Sequence, residues 1–257
     1  MNIFVFDIET IPDVELGRRL YDLDGLNDED VAKAMFALRR QASGTEFLQH
    51  HLHKVVAISL VLKNARQFKV WSLGSEDADE AEIITRFFDG IEKYQPTLVS
   101  WNGGGFDLPV LHYRAMRYGI NAQRYWDTGE LDRDYKWNNY INRFHFRHTD
   151  LMDVLSGYQM RAVAPLDQIA VMLGFPGKLG MNGASVWPAY LEGRIKDIRD
   201  YCETDVLNTY LVYLNWEVTR GNMDQSAFQS ECAMIRDYLA EQNKTHFNQF
   251  LKAWESP

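Results

Sequence analysis

Ile3-Phe4-Val5-Phe6-Asp7-Ile8-Glu9-Thr10 decides the fold: four apolar residues run into an Asp-x-Glu pair. Apolar residues on both faces mark a strand buried in the middle of a sheet. Side chains alternate along a strand, so Asp7 and Glu9 point to the same side, at the strand's end. Two neighbouring carboxylates there repel each other and lose hydration. A cation between them makes the arrangement tolerable, and hard divalent ions take oxygen ligands. The rest of the chain is therefore read for more of them.

The 257 residues are 46% hydrophobic and 25% charged, ordinary for a soluble globular protein. No stretch approaches the roughly 20 apolar residues that span a bilayer, and the first strand is preceded by no basic-then-apolar leader. The expected location is cytoplasmic, away from membranes. Cys202 and Cys232 lack metal-ligand spacing, and Cys202 reads as a small reduced core residue. The formal charge of −9 argues against a general nucleic-acid coat protein. It is compatible with an enzyme that grips a few phosphates through bound cations.

After the first strand, residues 11–41 form an excursion with helical patterning through Glu15, Leu16, Arg19 and Leu20, and again through Val31, Ala34, Met35 and Leu38. Residues 55–62 and 67–73 have strand character and read as a hairpin, though without an Asn-Gly or Asp-Gly turn. An amphipathic helix over 79–94 carries Ile83, Ile84, Phe87, Phe88 and Ile91. A short buried strand over 97–101 leads through Asn102-Gly103-Gly104-Gly105 into a helix running from Asp107 to Tyr118. Residues 121–144 are aromatic, charged and poorly periodic, and are expected to be irregular. Residues 145–150 have strand character, and short helices follow over 152–159 and 165–173. A glycine-rich loop covers 174–184, and two long helices cover 194–220 and 224–253. With no repeat, low-complexity tract or linker, residues 1–257 read as one domain. The order of elements predicts an α/β fold, a central mixed sheet flanked by helices. The hairpin is antiparallel to the first strand, and the later helix-linked strand is parallel to it through a right-handed crossover.

Asp107, in Asn102-Gly103-Gly104-Gly105-Phe106-Asp107, reads either as a helix cap or as a further ligand. The glycines allow close approach of a backbone or ligand, but the G-x-G-x-x-G spacing of a dinucleotide loop fails. Tyr201 and Asp205 lie four apart in the next-to-last long helix, beside an apolar stripe through Ile198, Cys202, Leu207 and Leu211. Asp205 therefore points inward or to the edge of a solvated face. Four acids of this kind suit two Mg²⁺ or Mn²⁺ ions about 4 Å apart, and the chemistry that fits is phosphodiester hydrolysis.

Asp7-x-Glu9, Asn102-x-x-x-Phe106-Asp107 and Tyr201-x-x-x-Asp205, in this order, resemble the three exonuclease motifs of the DEDD superfamily of 3′–5′ exonucleases. Tyr201 resembles the tyrosine subclass, and the middle motif is most similar to the family B polymerase proofreading domain. The resemblance implies a ribonuclease-H-like fold and, since the sequence ends at Pro257, a free-standing relative. It implies that Asp7 bridges two metal ions, that Glu9 and Asp205 hold the water-activating one, and that Asp107 helps hold the second. Tyr201 orients the attacking water, and Thr10, Asn102 and Phe106 touch the substrate strand. Lys178, in a glycine-rich loop, reads as a phosphate contact or a solvated lysine. Arg143 and Arg147, interleaved with aromatics, read as a single-strand contact or ordinary surface. His50, His51 and His53 read weakly as a metal group, and Asp150 and Asp153 as helix-capping or solvated acids. The expected partner is nucleic acid with a free 3′ end, single-stranded DNA ahead of RNA, together with replication or repair proteins. The competing readings are a non-catalytic nucleic-acid-binding module on the same fold, an exoribonuclease, and an aspartyl phosphomonoesterase, which usually has Asp where Glu9 stands.

Overall fold

The computed structural model describes residues 2–255. Its centre is a sheet in the order β3-β2-β1-β4-β5. Strand β1 (Ile3–Pro12) pairs antiparallel with β2 (His53–Lys63) and parallel with β4 (Thr97–Ser100). β2 pairs antiparallel with β3 (Phe68–Ser72), and β4 pairs parallel with β5 (His148–Asp150). This is the mixed sheet expected. The β2–β3 turn closes without an Asn-Gly pair because the Asn64 carboxamide oxygen accepts from the Arg66 and Gln67 amides, at 2.9 and 3.1 Å.

β1 differs from expectation in one respect. Asp7 and Glu9 do not end it, because pairing with β2 continues to Pro12. The register shifts between Glu9 and Thr10, where Val56 of β2 is the extra residue. Such bulges re-aim side chains.

The excursion after β1 folds as α1 (Val14–Tyr21) and α2 (Asp28–Ser43). Helices α3 (Glu80–Tyr94) and α4 (Asp107–Tyr118) cover one face of the sheet. Phe4, Phe6 and Ile8 pack there with Ile83, Phe87 and Leu108. The irregular stretch contains only the short α5 (Gln123–Trp126) and a 3₁₀ turn, Arg133–Lys136. Helices α6 (Leu151–Leu155), α7 (Leu166–Met172) and α8 (Gly183–Leu191) follow. The expected loop thus ends at Asn182, whose side chain and that of Ser185 form a reciprocal cap on α8.

Helix α9 (Ile195–Thr219) lies on the opposite face, against Val5, Val61 and Val99. It is buried all round from Tyr201 to Leu214 rather than along one stripe, because α7, α10 (Gln225–Gln242) and α11 (Thr245–Glu255) enclose its other sides. The last expected helix is therefore two helices. The break is at Asn243, left-handed at φ 49°, a conformation Asn tolerates better than most residues. Cys202 and Cys232 are both buried and free, as expected. Among the described residues no helix is long and apolar enough to cross a membrane.

Two buried ion networks lock these layers. Arg114 of α4, 2% exposed, is bidentate on Glu80 of α3 and meets Asp13 at 2.5 Å. Glu80 also accepts from the Val55 amide of β2 at 2.6 Å. Removing one partner of such a set typically costs about 3–5 kcal/mol, since the others stay buried and unbalanced.

The second network pins α11 to α9 and β3. His246 Nε2 meets Glu203 Oε2 at 2.8 Å, and its Nδ1 lies 3.2 Å from Asp200 Oδ1. Lys244 reaches Glu203 Oε2 at 2.9 Å, and the Ser72 amide donates to Oε1 at 3.0 Å. Burial works against the His246 imidazolium, but Asp200 and Glu203 outweigh it and raise the pKa above 6.5. A raised folded-state pKa stabilises fully below the unfolded value and is lost as pH climbs through the folded one. Thermal unfolding should therefore show Tm falling as pH rises above 6.5. His246→Asn should flatten that fall, whereas an unchanged slope would remove this role.

Candidate active site

The site grows from a difference in strand length. β4 pairs with β1 only through Ile3, Val5 and the residue between them, then ends at Ser100. The Ile8 amide consequently lacks a neighbour in the sheet on that side. It donates to Asp107 Oδ1 at 3.1 Å. Asp107 is thus not the helix cap, a position Phe106 occupies, but the first residue of α4, drawn onto β1. Asp7 and Glu9 continue the Val5 side of β1, which faces α9. Asp205 meets them from α9, with the Tyr201 side chain beside its carboxylate.

Glu9, Asp107, Asp205 and Tyr201 are buried, and Asp7 is half-buried. Burial is the largest cause raising all four acids. It lifts Asp107 to about 7 and Asp205 to about 6. Asp7 is pushed up further by Asp107 and Asp205, and Glu9 by Asp7, Asp205 and Asp107. Burial and then the charges of Asp205, Glu9 and Asp7 also raise the Tyr201 phenol. Lys178 is the cation that opposes this, lowering Glu9 and Asp205. The ligand atoms of Asp7, Glu9 and Cys202 lie within 4.8 Å of one another. A crowded set of buried carboxylates with one exposed lysine fits a divalent cation by charge and by donor type.

The supporting residues are less legible in sequence. Asp150, read as a capping acid, does cap α6, accepting from the Met152 amide at 3.1 Å. It also takes the Asn102 and Gly104 amides, each at 2.9 Å, and so holds the loop before Asp107. A Cβ on Gly104 would stand 3.2 Å from Asp150 Oδ2, and one on Gly103 only 2.3 Å from Ser100 Oγ. These glycines serve the loop's contact with its own sheet. Asn208, one turn beyond Asp205, donates to the Gly177 carbonyl at 2.8 Å and accepts from its amide at 3.2 Å. That fixes the loop carrying Lys178. Cys202 lies beneath Asp7, its sulfur 3.7 Å from Oδ2. Sequence carries no signal for these pairings, which join residues 31 to 195 positions apart.

Two clefts open from the acids. One, about 490 Å³, is lined by Asp7, Trp101, Asn102, Lys178 and Asp205. The other, about 850 Å³, begins at Glu9 and Thr10 and passes Phe106. Thr10 Oγ1 is 2.9 Å from His53 Nδ1, and half-buried Phe106 packs on Phe47, His50 and His53. The three histidines form no metal group among the described residues. His53 also meets the Leu48 carbonyl, His50 the Gly105 carbonyl, and His51 packs on Tyr113. Arg143 pairs with Asp153 at 2.8 Å, and Arg147 stacks over Tyr135 at 3.9 Å. Neither lines either cleft.

Known proteins resemble this chain in sequence and in fold. A DNA polymerase of Archaeoglobus fulgidus is 26% identical over 137 residues, 52% of this chain and 17% of that protein. The catalytic polypeptide of DNA polymerase epsilon from Saccharomyces cerevisiae is 24% identical over 144 residues, 54% of this chain and 6% of its own length. The chain thus spans a small part of these relatives. The structure of the family B DNA polymerase from Pyrobaculum calidifontis matches 100% of this chain and 27% of its own, with TM-score 0.50 and 15% identity, a likeness of fold. The sheet and its flanking helices are the ribonuclease-H-like fold expected. Residues 45–254 match the family described as predicted 3′–5′ exonucleases related to the exonuclease domain of PolB, and the chain belongs to that family.

Proposed function

We propose that this chain removes nucleotides from the 3′ end of single-stranded DNA, ahead of RNA, releasing nucleoside 5′-monophosphates. The observation that carries the reading is the convergence of four acids from β1, α4 and α9 beside Tyr201, with one cleft opening at Asp7 and Asp205 and another at Glu9. Asp7, Glu9 and Asp205 would hold one divalent ion, and Asp7 and Asp107 a second. Two such ions, Mg²⁺ or Mn²⁺, when bound, neutralise the acids, supply an activated water and stabilise the leaving oxygen.

The chain's own residues do the positioning. Tyr201, its side chain beside the Asp205 carboxylate, orients the attacking water through its hydroxyl. With its pKa raised, the phenol is an orienting group and not a base. Lys178, exposed at the rim and facing Glu9 and Asp205, meets a substrate phosphate. Asn102 and Thr10, one in each cleft, contact the strand on either side of the scissile bond.

The test uses 5′-labelled single-stranded DNA and RNA of one sequence, each with a free or a blocked 3′ end. A ladder from the free 3′ end of DNA is expected with Mg²⁺ or Mn²⁺, abolished by chelator and by Asp7→Ala. Faster degradation of RNA would overturn the substrate preference, and retained binding with no ladder from either polymer would leave a binding module. Tyr201→Phe should lower kcat by about 100-fold through loss of orientation while leaving the metal concentration for half-activity unchanged. Normal turnover in that variant removes the role. For Lys178→Ala, a higher KM is expected, with a salt dependence shallower by about 0.7 on a log–log plot, as for one lost phosphate contact to a single strand. An unaltered slope places Lys178 in solvent.

A further inference from the structure

Residues 133–147 run against the charge of the chain as a whole. They hold Arg133, Lys136, Arg143 and Arg147 with Asp134 their one acid, in a protein whose formal charge is −9. Within this stretch Arg143 and Phe144 are exposed, Phe144 by 65%. They are nonetheless organised. The Arg143 guanidinium lies 5.8 Å from the centre of the Phe144 ring and 4.9 Å from that of Tyr158, and the two rings meet edge to face at 5.0 Å. Tyr158 takes this position in the left-handed region, at φ 61°, where a bulky residue is strained. Such strain persists only where neighbouring structure imposes it, and it gathers at functional segments. The Tyr158 amide donates to the Asp153 carbonyl at 2.8 Å, and its hydroxyl donates to the Arg143 carbonyl at 3.4 Å.

The cluster is one short helix away from the acids. Met152 of α6 lines the cleft of about 490 Å³ that opens at Asp7 and Asp205. The next residue, Asp153, meets Arg143 Nη2 at 2.8 Å. Resting on the exonuclease reading, a strand has only its last phosphodiester at the acids, and the rest of it leaves over the surface. Lys178 faces phosphate in the smaller cleft, and α6 joins that cleft to the cation-rich stretch. An exposed ion pair such as Arg143 with Asp153 is worth little, so the guanidinium can exchange the carboxylate for a phosphate. The exposed ring beside it offers its face to an unpaired base. An acidic protein segment would use the charge alone, whereas a single strand uses both. We propose that Arg143, Phe144 and Tyr158 form a landing surface for the substrate strand on the 5′ side of the cleaved nucleotide, holding it through one phosphate and one stacked base.

Arg143 and Phe144 are exposed and line neither cleft, so Arg143→Ala and Phe144→Ala should fold. Two substrates with the same 3′ end separate the surface from the acids. One is a DNA dinucleotide, which ends within the clefts, and the other a single-stranded DNA of about 12 nucleotides, long enough to cross a basic aromatic surface. Loss of one base–aromatic stack corresponds to a KM for the longer strand roughly 5- to 100-fold higher in Phe144→Ala, restored by Phe144→Trp. Arg143→Ala should raise that KM too, and make its salt dependence shallower by about 0.7 on a log–log plot, as for one phosphate. On the dinucleotide, kcat/KM should equal the parent value in both variants. A parent KM for the longer strand in either variant, or a loss shared equally by the dinucleotide, overturns the surface while leaving the exonuclease reading intact. If the wild-type protein degrades neither substrate with Mg²⁺ or Mn²⁺, the exonuclease reading fails and the surface, as a path for substrate, fails with it.

Discussion

The structure depends on a mismatch between neighbours: β1 runs ten residues, while its parallel partner β4 runs four. On the other side β2 accompanies β1 to its end. The sheet therefore has a notch beyond the carboxyl end of β4, beside the one strand with an antiparallel and a parallel neighbour. Clefts at such switch points are where open α/β sheets bind ligands. The notch leaves the Ile8 amide to be satisfied by a side chain, and Asp107 supplies it. The loop that delivers Asp107 is folded down by Asp150 at the end of β5, the next strand over. One unfilled position in the sheet thus organises two of the three elements that carry the acids.

Two acidic clusters share helix α9, and their electrostatics separate them. Asp200 and Glu203 are met by Lys196, Lys244 and His246, and both are held below their ordinary pKa despite burial. Asp205, on the same helix, is raised to about 6, and its partners Asp7 and Glu9 are raised as well. The first cluster is balanced within the protein and works as a clamp. The second is short of positive charge, which stability alone does not explain. Arg114 with Glu80 and Asp13 shows that this chain neutralises buried acids where only architecture is at stake.

Much of this was legible in the sequence, for identifiable reasons. Strand alternation brings Asp7 and Glu9 to one side, and the helical repeat brings Tyr201 to Asp205, because both are local rules. The antiparallel hairpin and the parallel later strand follow from connection lengths and handedness. The cap assigned to Asp107 in one reading was displaced by a bond to Ile8, 99 residues away, which no local rule contains. Asp150, Asn208 and Cys202 join the site through contacts of the same long-range kind. The helix break at Asn243 is another instance, since it turns Lys244 and His246 toward Glu203. β1 runs past its acids because β2 continues beside it, a pairing that neither segment announces alone.

The link between Asn208 and Gly177 separates two properties that are often tied together. Asp205 and Tyr201 sit on a helix enclosed on every side, whereas Lys178 sits on a loop fastened to that helix by a single side-chain amide. Gly177 cannot readily be altered, because its φ is +66° and a Cβ there would meet Val171 at 2.8 Å. Beyond it Gly180, at φ +81°, shares the backbone constraint, but Lys178 does not. Substitution at Lys178 can change the charge at the rim of the cleft while the carboxylates stay in register. Divergence within this architecture is therefore cheap at the rim and costly at the acids.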